Sequence, residues 1–504
     1  RIDGVQTWRI PKDYEINEWL DIINRDPENY KIDGFEGAIV LKPKPDIYLD
    51  DPVAVLDYAS LYPSSIIEKN LSHETNIEDE GLIEYIGKEN LHEIKYENFV
   101  YQGKGKGDTV EKVVNEKEPI KTCYFLKSEF MEKKGIHPKG IIPQVLDHLL
   151  DARKATKFRM KNEKDEFKKK VLDGLQLAYK ITANSVYGQL GATTSTIFKM
   201  NIAACTTSIG RERIDDAEYG AKKWASELGY KEPEIVYGDT DSIFVKFNCE
   251  KDGKKLEGKE ALAYSIQCGI EVGDYITKGK LIKNGEEIYH KPILSKPQDL
   301  EYEKTFWPFI LISKKRYTGD KYELSTEECK RTAMGIVLKR RDNAPIVKYV
   351  FGHVIEKIMI EKDFEATIQW LKETLCKIRK GEFSDTYFVI TKSLRGYYKN
   401  PQQIAHKVLA DRMSERDPGN KPKANDRIPY AYIQLSDDIL YDKENPYKSG
   451  IRKGEPRLRN ILQGDRIEHI DYIRKNGLRL DYEFYITNQI MNPVKQVLDL
   501  RLNS

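Results

Sequence analysis

Three short segments of the chain carry residues whose types and spacing suit a single piece of chemistry. They are Asp57-Tyr58-Ala59-Ser60-Leu61-Tyr62-Pro63-Ser64, Lys180-Ile181-Thr182-Ala183-Asn184-Ser185-Val186-Tyr187-Gly188 and Tyr237-Gly238-Asp239-Thr240-Asp241-Ser242. The first and third each place a carboxylate at the end of an apolar run of strand type, and the second places a lysine and an asparagine on one helical face. Magnesium takes one or two protein carboxylates and completes its shell with phosphates and water. Asp57 and Asp241 on adjacent strands could share two such ions, which would offset their mutual repulsion. With cations added for a triphosphate, the set meets the needs of nucleotidyl transfer. Taken alone, Asp239 and Asp241 read more readily as turn residues of a Gly-Asp hairpin than as metal ligands. Beside the other two segments, the metal reading prevails.

Cations for a triphosphate are available on a helical stretch that runs from 143 to 190, interrupted by the polar segment NEKDEFKKK. A helical hairpin with its tip near residue 166 is expected. Arg153 and Lys157 lie four apart on the first helix, and Lys180, Asn184 and Tyr187 share a face of the second. With the tip near 166, position 153 lies opposite 180, and three cations converge where a triphosphate would relieve their repulsion. A solvated basic face with Asp151 and Glu163 as partners is the competing reading. Tyr62 stands where strand gives way to helix; its ring could exclude a 2′-hydroxyl from the sugar site, or could equally be a packing residue. Lys314-Lys315-Arg316-Tyr317 closes the apolar stretch FWPFILIS and suits duplex DNA, as do Lys339-Arg340-Arg341 and the basic region 392–427 with its interleaved tyrosines. Each of these patches could also be a solvated face.

The elements that must position these residues follow from the pattern. VAVL before Asp57 reads as a central strand, with Pro63 in the first turn of the helix that follows. PEIVYGDTDSIFVKF reads as strand, tight turn, strand, with Gly238 and Asp239 expected to supply the turn. The loop YQGKGKGDTVEKV at 101–113 lacks the Gly-Lys-Ser/Thr ending of a Walker loop and reads as a surface hairpin. From about 330 onward helical stretches alternate with basic loops, and 416–428 reads as an exposed loop. At 504 residues several subdomains are expected, and a net charge of +2 says nothing about partners. The six cysteines form no Cys-x-x-Cys pair, read as ordinary core residues and fit a reducing compartment. With no membrane-length apolar run and no signal peptide, a soluble intracellular protein is expected.

On these motifs the chain resembles the family B DNA polymerases, most like the catalytic subunit of DNA polymerase delta and its relatives in large DNA viruses. DYASLYPS, KITANSVYG and YGDTDS correspond to the three polymerase motifs, and SKKRYTG to the primer-template motif. PQVLDHLLDARKATK, LEYEKTFWPFILISKKRY, GIVLKRRDNAP and HKVLADRMSERDPG agree in order, so that the resemblance runs from about 34 to 500. It implies an α+β fold of right-hand architecture: a palm with an antiparallel sheet, helical-hairpin fingers and a mainly helical thumb. The implied divisions are palm at 1–142 and 193–332, fingers at 143–192 and thumb at 333–504.

The resemblance also implies roles. Asp57 and Asp241, with the backbone carbonyl of Tyr58, would hold two Mg2+ ions, for which Mn2+ could substitute, and Asp239 would be a supporting catalytic acid. Ser60, Leu61, Tyr62, Arg153, Lys157, Lys180 and Asn184 would bind the nucleotide, with Tyr62 as the sugar gate. Tyr187, Lys314, Lys315, Arg316, Tyr317, Arg340 and Arg341 would contact DNA. The implied function is template-directed DNA synthesis from dNTPs on a primer-template, in a nucleus or a viral replication compartment, with a sliding clamp or other replication proteins as further partners and no membrane. Two departures stand out: Met334-Gly335-Ile336-Val337 replaces the Lys-Gly-Leu-Glu usual before the paired arginines, and no strand-type run ending in Asp-x-Glu, as an exonuclease segment would have, is read before Asp57. The chain as given is therefore expected to lack editing. A catalytically inactive scaffold that binds DNA is the alternative, although it would have no need of both Asp57 and Asp241.

Overall fold

Val53, Ala54, Val55 and Leu56 are almost wholly buried, as a β-branched apolar run in the middle of a covered sheet should be. Their strand, Val53–Tyr58, pairs antiparallel with Ser242–Lys246 on one side and with residues 300–306 of the strand Leu300–Ser313 on the other. Ser242–Lys246 pairs in turn with Glu234–Asp239. The computed structural model describes residues 31–502 apart from 104–109, 252, 443, 445 and 447–454. The chain divides into two units, one of residues up to Lys44 with Asp51–Phe306 and Tyr322–Cys329, the other of Pro45–Asp50, Trp307–Lys321 and Lys330 onward.

In the first unit, the helices Met200–Leu228 and Gly258–Lys278 cover the sheet, joining Ala54, Leu56, Ile243 and Val245 to Trp224, Ala221, Val272 and Tyr275 in one core. The second of these helices approaches closely: a Cβ at Gly273 would lie 3.0 Å from the Leu300 carbonyl oxygen. The run FEGAIVL forms no long strand; its Val40 bridges to Asp239, and the Leu41 N–H donates to the Gly238 carbonyl at 2.9 Å. A second antiparallel sheet orders Lys31–Phe35, Leu91–Gly103, Ile120–Leu126 and Asn76–Ile77, with Val110–Val114 on Leu91–Gly103. The expected surface hairpin near 101–113 is thus seen in its two strands, its tip lying outside the described residues.

The helical hairpin is formed by Ile141–Asn162 and Glu166–Gly191. Its connection is 163–165, slightly earlier than expected, because the Asp165 side chain caps the second helix by accepting from the N–H groups of Phe167 and Lys168. The base of the first helix is held by acceptors from the segment after the Asp57 helix. Asn70 Oδ1 takes the Gly140 N–H at 2.8 Å, Ser72 Oγ the Ile142 N–H at 3.2 Å, and Glu74 the Ile141 N–H. These satisfy donors that a helix start leaves open.

In the second unit, residues 307–313 of the strand Leu300–Ser313 lie between Asp46–Tyr48 and Arg316–Tyr322, followed outward by Lys330–Met334. Its core gathers Ile346, Val350, Phe351, Phe388, Tyr430 and Tyr485. Beyond 330 the chain is not only helix and loop: Ile390–Ser393, Arg427–Tyr432 and Ile467–His469 form a three-stranded antiparallel sheet. The Tyr485 hydroxyl secures it by donating to the Phe388 carbonyl at 2.6 Å and accepting from the Tyr432 N–H at 3.0 Å. Residues 423–427 are exposed, as expected of that loop. Of the cysteines, Cys123, Cys205, Cys249 and Cys268 are buried, but Cys329 and Cys376 are exposed and are not core residues. Among the described residues no helix is long and apolar enough to cross a membrane.

Candidate active site

The two carboxylates meet because Asp57 lies near the end of one strand and Asp241, in a turn and not on a strand as expected, immediately precedes the neighbouring strand Ser242–Lys246. Asp57 stands opposite Ser242 in the ladder, and the Tyr58 N–H donates to the Asp241 carbonyl at 2.8 Å. Asp239 pairs with Ser242 across a two-residue turn of Thr240 and Asp241. The turn chemistry differs from expectation: Thr240 takes the left-handed conformation at φ 59°, while Gly238 and Asp239 belong to the strand. Gly238 is required by space instead, since a Cβ there would lie 2.7 Å from the Leu41 side chain. Asp239 is tied down by the Tyr237 hydroxyl at 3.3 Å and by Thr240 Oγ1 at 3.1 Å.

Burial first, and then the charge of Asp241, push the Asp57 carboxyl from its usual 3.8 up to about 7. Burial likewise raises Asp241, with the charges of Asp239 and Glu303 adding to it. Two partly buried carboxylates that each disfavour ionisation are a site short of positive charge. Their hard oxygen donors fit a divalent cation that takes its remaining ligands from phosphate and water. Among the described residues no group of three or more His, Cys, Asp or Glu is arranged to hold a metal ion.

Glu301 and Glu303 were not singled out from the sequence. Glu301 is the ladder partner of Asp57, and Glu303 falls at an irregularity between Tyr302 and Lys304, where the strand carries one residue more than its neighbour. Such bulges re-aim side chains, and the Glu303 charge is felt by both Asp57 and Asp241. The alternation Leu-Glu-Tyr-Glu could have suggested Glu301 and Glu303; the bulge has no signature in the sequence.

The hairpin brings its cations to this end of the sheet. Arg153 Nη1 donates to Ser60 Oγ at 3.3 Å, and its Nε to Gln176 Oε1 at 3.3 Å. Position 153 therefore registers with Gln176, one turn nearer the tip than Lys180, as the earlier connection requires. Burial lowers the affinity of Arg153 and Lys157 for their protons; the charges of Arg153 and Lys180 lower that of Lys157 further, against the opposing pull of Glu301. Lys157 thus feels the charges of both other cations. Glu163 does not act as their partner, since its carboxylate accepts from the N–H groups of Lys164 and Asp165. Asn184 is exposed on the same helix as Lys180.

Ser60 turns the chain from strand into the helix Leu61–Glu68 with φ 59° and ψ 56°. This sparsely populated backbone aims Tyr62 at Tyr187, their ring centroids 4.5 Å apart. Leu61 is a core residue at 3% exposure, so that its side chain is not available to a ligand. In the second unit, Lys314 and Lys315 form the exposed turn after Leu300–Ser313, with Lys315 at φ 59°, and Tyr317 packs on Phe309 with centroids 5.7 Å apart. Arg340 is engaged by both oxygens of Asp342 at 3.0 and 2.8 Å. Arg341 instead lines a cleft of about 510 Å3 with Lys392, Arg395, His406 and Arg427.

A family model described as DNA polymerase family B matches residues 17–500. The chain is 40% identical to a DNA polymerase of Pyramimonas orientalis virus over 96% of its own length and 39% of that protein. It is 31% identical to the DNA polymerase delta catalytic subunit of Caenorhabditis elegans over 93% of its length and 36% of that protein. A DNA polymerase of Acanthamoeba polyphaga mimivirus is 42% identical over 54% of the chain and 14% of that protein. The chain thus spans about two fifths or less of these curated relatives.

Proposed function

The chain belongs to DNA polymerase family B, and from that premise we propose that it carries out template-directed DNA synthesis, adding dNMP from dNTP to a primer 3′-hydroxyl. The observation that carries this reading is the meeting of Asp57, on the strand Val53–Tyr58, with Asp241, in the turn that leads into the neighbouring strand Ser242–Lys246, each held toward its neutral form by burial and by neighbouring carboxylates. An inactive scaffold would have no use for that electrostatic cost. Asp57, Asp241 and the Tyr58 carbonyl would hold two divalent cations, Mg2+ with Mn2+ as substitute. When bound, these supply a lowered pKa at the primer hydroxyl and charge neutralisation at the triphosphate.

The chain's own residues do the rest. Asp239, fixed by Tyr237 and Thr240, keeps the turn that presents Asp241. Arg153, Lys157 and Lys180 orient the triphosphate, with Asn184 beside them, and the incoming charge replaces the pull of Glu301. Tyr62, braced by Tyr187, closes the sugar site against a 2′-hydroxyl. Lys314, Lys315, Arg316 and Tyr317, with Arg340 and Arg341, contact primer-template DNA. In this reading 1–142 and 193–332 are palm, 143–192 fingers and 333–504 thumb.

Primer extension with dNTPs and with NTPs, on DNA and on RNA templates, tests the proposal. Extension by dNTP on DNA is the expected result. Failure on DNA with efficient copying of RNA, or no extension at all by folded protein, would overturn it.

A further inference from the structure

We infer that Gly210 is the positioning residue for the Tyr62 ring, and so a determinant of sugar selectivity; this rests on the reading of Tyr62 as the sugar gate. Gly210 lies buried in the interior of the helix Met200–Leu228, where glycine is among the least favourable residues. Its backbone does not call for glycine, because it is not among the positive-φ positions. What glycine supplies is space. A Cβ at 210 would lie 2.9 Å from Tyr62 Cε1 and 3.6 Å from its Cδ1, the first closer than non-bonded carbons approach, whereas Leu61 at 3.5 Å would be in ordinary contact. By contrast, a Cβ at Gly174 or Gly188 of the hairpin would meet nothing within 4 Å.

The Tyr62 ring is therefore bounded by bare helix backbone at Gly210 and by the Tyr187 ring, whose centroid is 4.5 Å away at an interplanar angle of 45°. Steric discrimination between a hydrogen and a hydroxyl depends on where the edge of this ring stands. A methyl group at 210 must displace the ring away from the helix, because helix backbone yields less readily than a side chain. Gly210 reaches the sugar only through Tyr62, so its effect should vanish when the ring is gone.

The test compares the intact chain with Gly210→Ala, Tyr62→Ala and the double variant in single-nucleotide incorporation with dNTP and NTP, together with thermal melts. Tyr62→Ala is expected to raise NTP use relative to dNTP by roughly 10²-fold. Gly210→Ala is expected to change the ratio of the two kcat/KM values by at least about fivefold, and to leave it within about twofold when Tyr62 is already alanine. The melts add a sign reversal: Gly210→Ala should lower Tm when Tyr62 is present and raise it in the Tyr62→Ala background, where only the better helix propensity of alanine remains. If Gly210→Ala fails to fold, recovery of folding in the double variant supports the contact, and failure of both overturns it. A ratio unchanged by Gly210→Ala, or changed equally in both backgrounds, overturns the inference while leaving the gate intact. A ratio unchanged by Tyr62→Ala removes the gate reading and this inference with it.

Discussion

The Tyr58 N–H and the Asp241 carbonyl are joined at 2.8 Å, so the residue after one carboxylate is fastened to the residue that bears the other. Asp57 and Asp241 thus share one backbone frame, and their separation is set by the ladder, not by flexible side chains alone. In the proposed reaction, Asp57→Ala or Asp241→Ala should reduce extension by at least about 10³-fold, since lost metal ligation removes several kcal/mol of transition-state stabilisation. Primer-template affinity, measured by anisotropy, should change little. Turnover within about tenfold of the intact chain would remove the assignment.

The same carboxylates should make the metal-free protein less stable than it could be. The Asp57 pKa is raised in the folded state from 3.8 to about 7, so folding favours its protonated form. Its contribution is fully present below the unfolded value and is lost as pH rises through the folded one. Asp57→Asn cannot ionise and should melt higher than the intact chain at about pH 8 in chelator, the gap narrowing as pH falls through 7 and closing near 4. Melts at several pH values check this, and a gap independent of pH would mean that burial does not strain this carboxylate.

Much of this site is legible in the sequence, and the exceptions have physical causes. VAVLDY and EIVYGD announce strands because β-branched runs with a terminal acid have few other uses in a covered sheet. The hairpin pattern gives its cations, with the register displaced because a capping residue, Asp165, starts the second helix where the polar run alone suggests a later tip. Thr240 escapes notice because its left-handed backbone is imposed by the ladder on both sides of a two-residue turn, against the preference of a β-branched residue. Glu303 escapes for a similar reason, since its aim depends on a bulge set by the neighbouring strand. In the second unit, the strands Ile390–Ser393 and Ile467–His469 are too short for an alternation to be seen beside the helical stretches around them. Gly210 has no local signature, because what it accommodates lies far away along the chain.

The hairpin cations can be separated from general basicity. Arg153→Ala and Lys180→Ala should each lower kcat/KM for dNTP by roughly 10²-fold, the loss of a charge-assisted contact of about 3 kcal/mol. Lys164 lies in the connection at the tip, away from Ser60 and Glu301, and Lys164→Ala should stay within about twofold. Single-turnover incorporation across a dNTP series is the measurement. Equal losses at all three positions would show that charge anywhere on the hairpin is sufficient.

The turn at Lys314 and Lys315 is held in shape by a residue outside it. Gly335 has φ 63°, and a Cβ there would lie 2.1 Å from the Lys315 carbonyl oxygen. Both the backbone conformation and the space exclude a side chain. Gly335→Ala should therefore cost about 2–4 kcal/mol of stability, or displace the turn. The charges of the turn have a different signature. Replacing Lys314 and Lys315 together by alanine should reduce the slope of log affinity against log salt for primer-template DNA by about 2, one for each phosphate charge no longer neutralised. A double variant with an unaltered salt slope would place this turn away from DNA. A Gly335→Ala protein with unchanged Tm and unchanged salt slope would show that the turn tolerates a side chain beneath it, against the geometry of the Lys315 carbonyl.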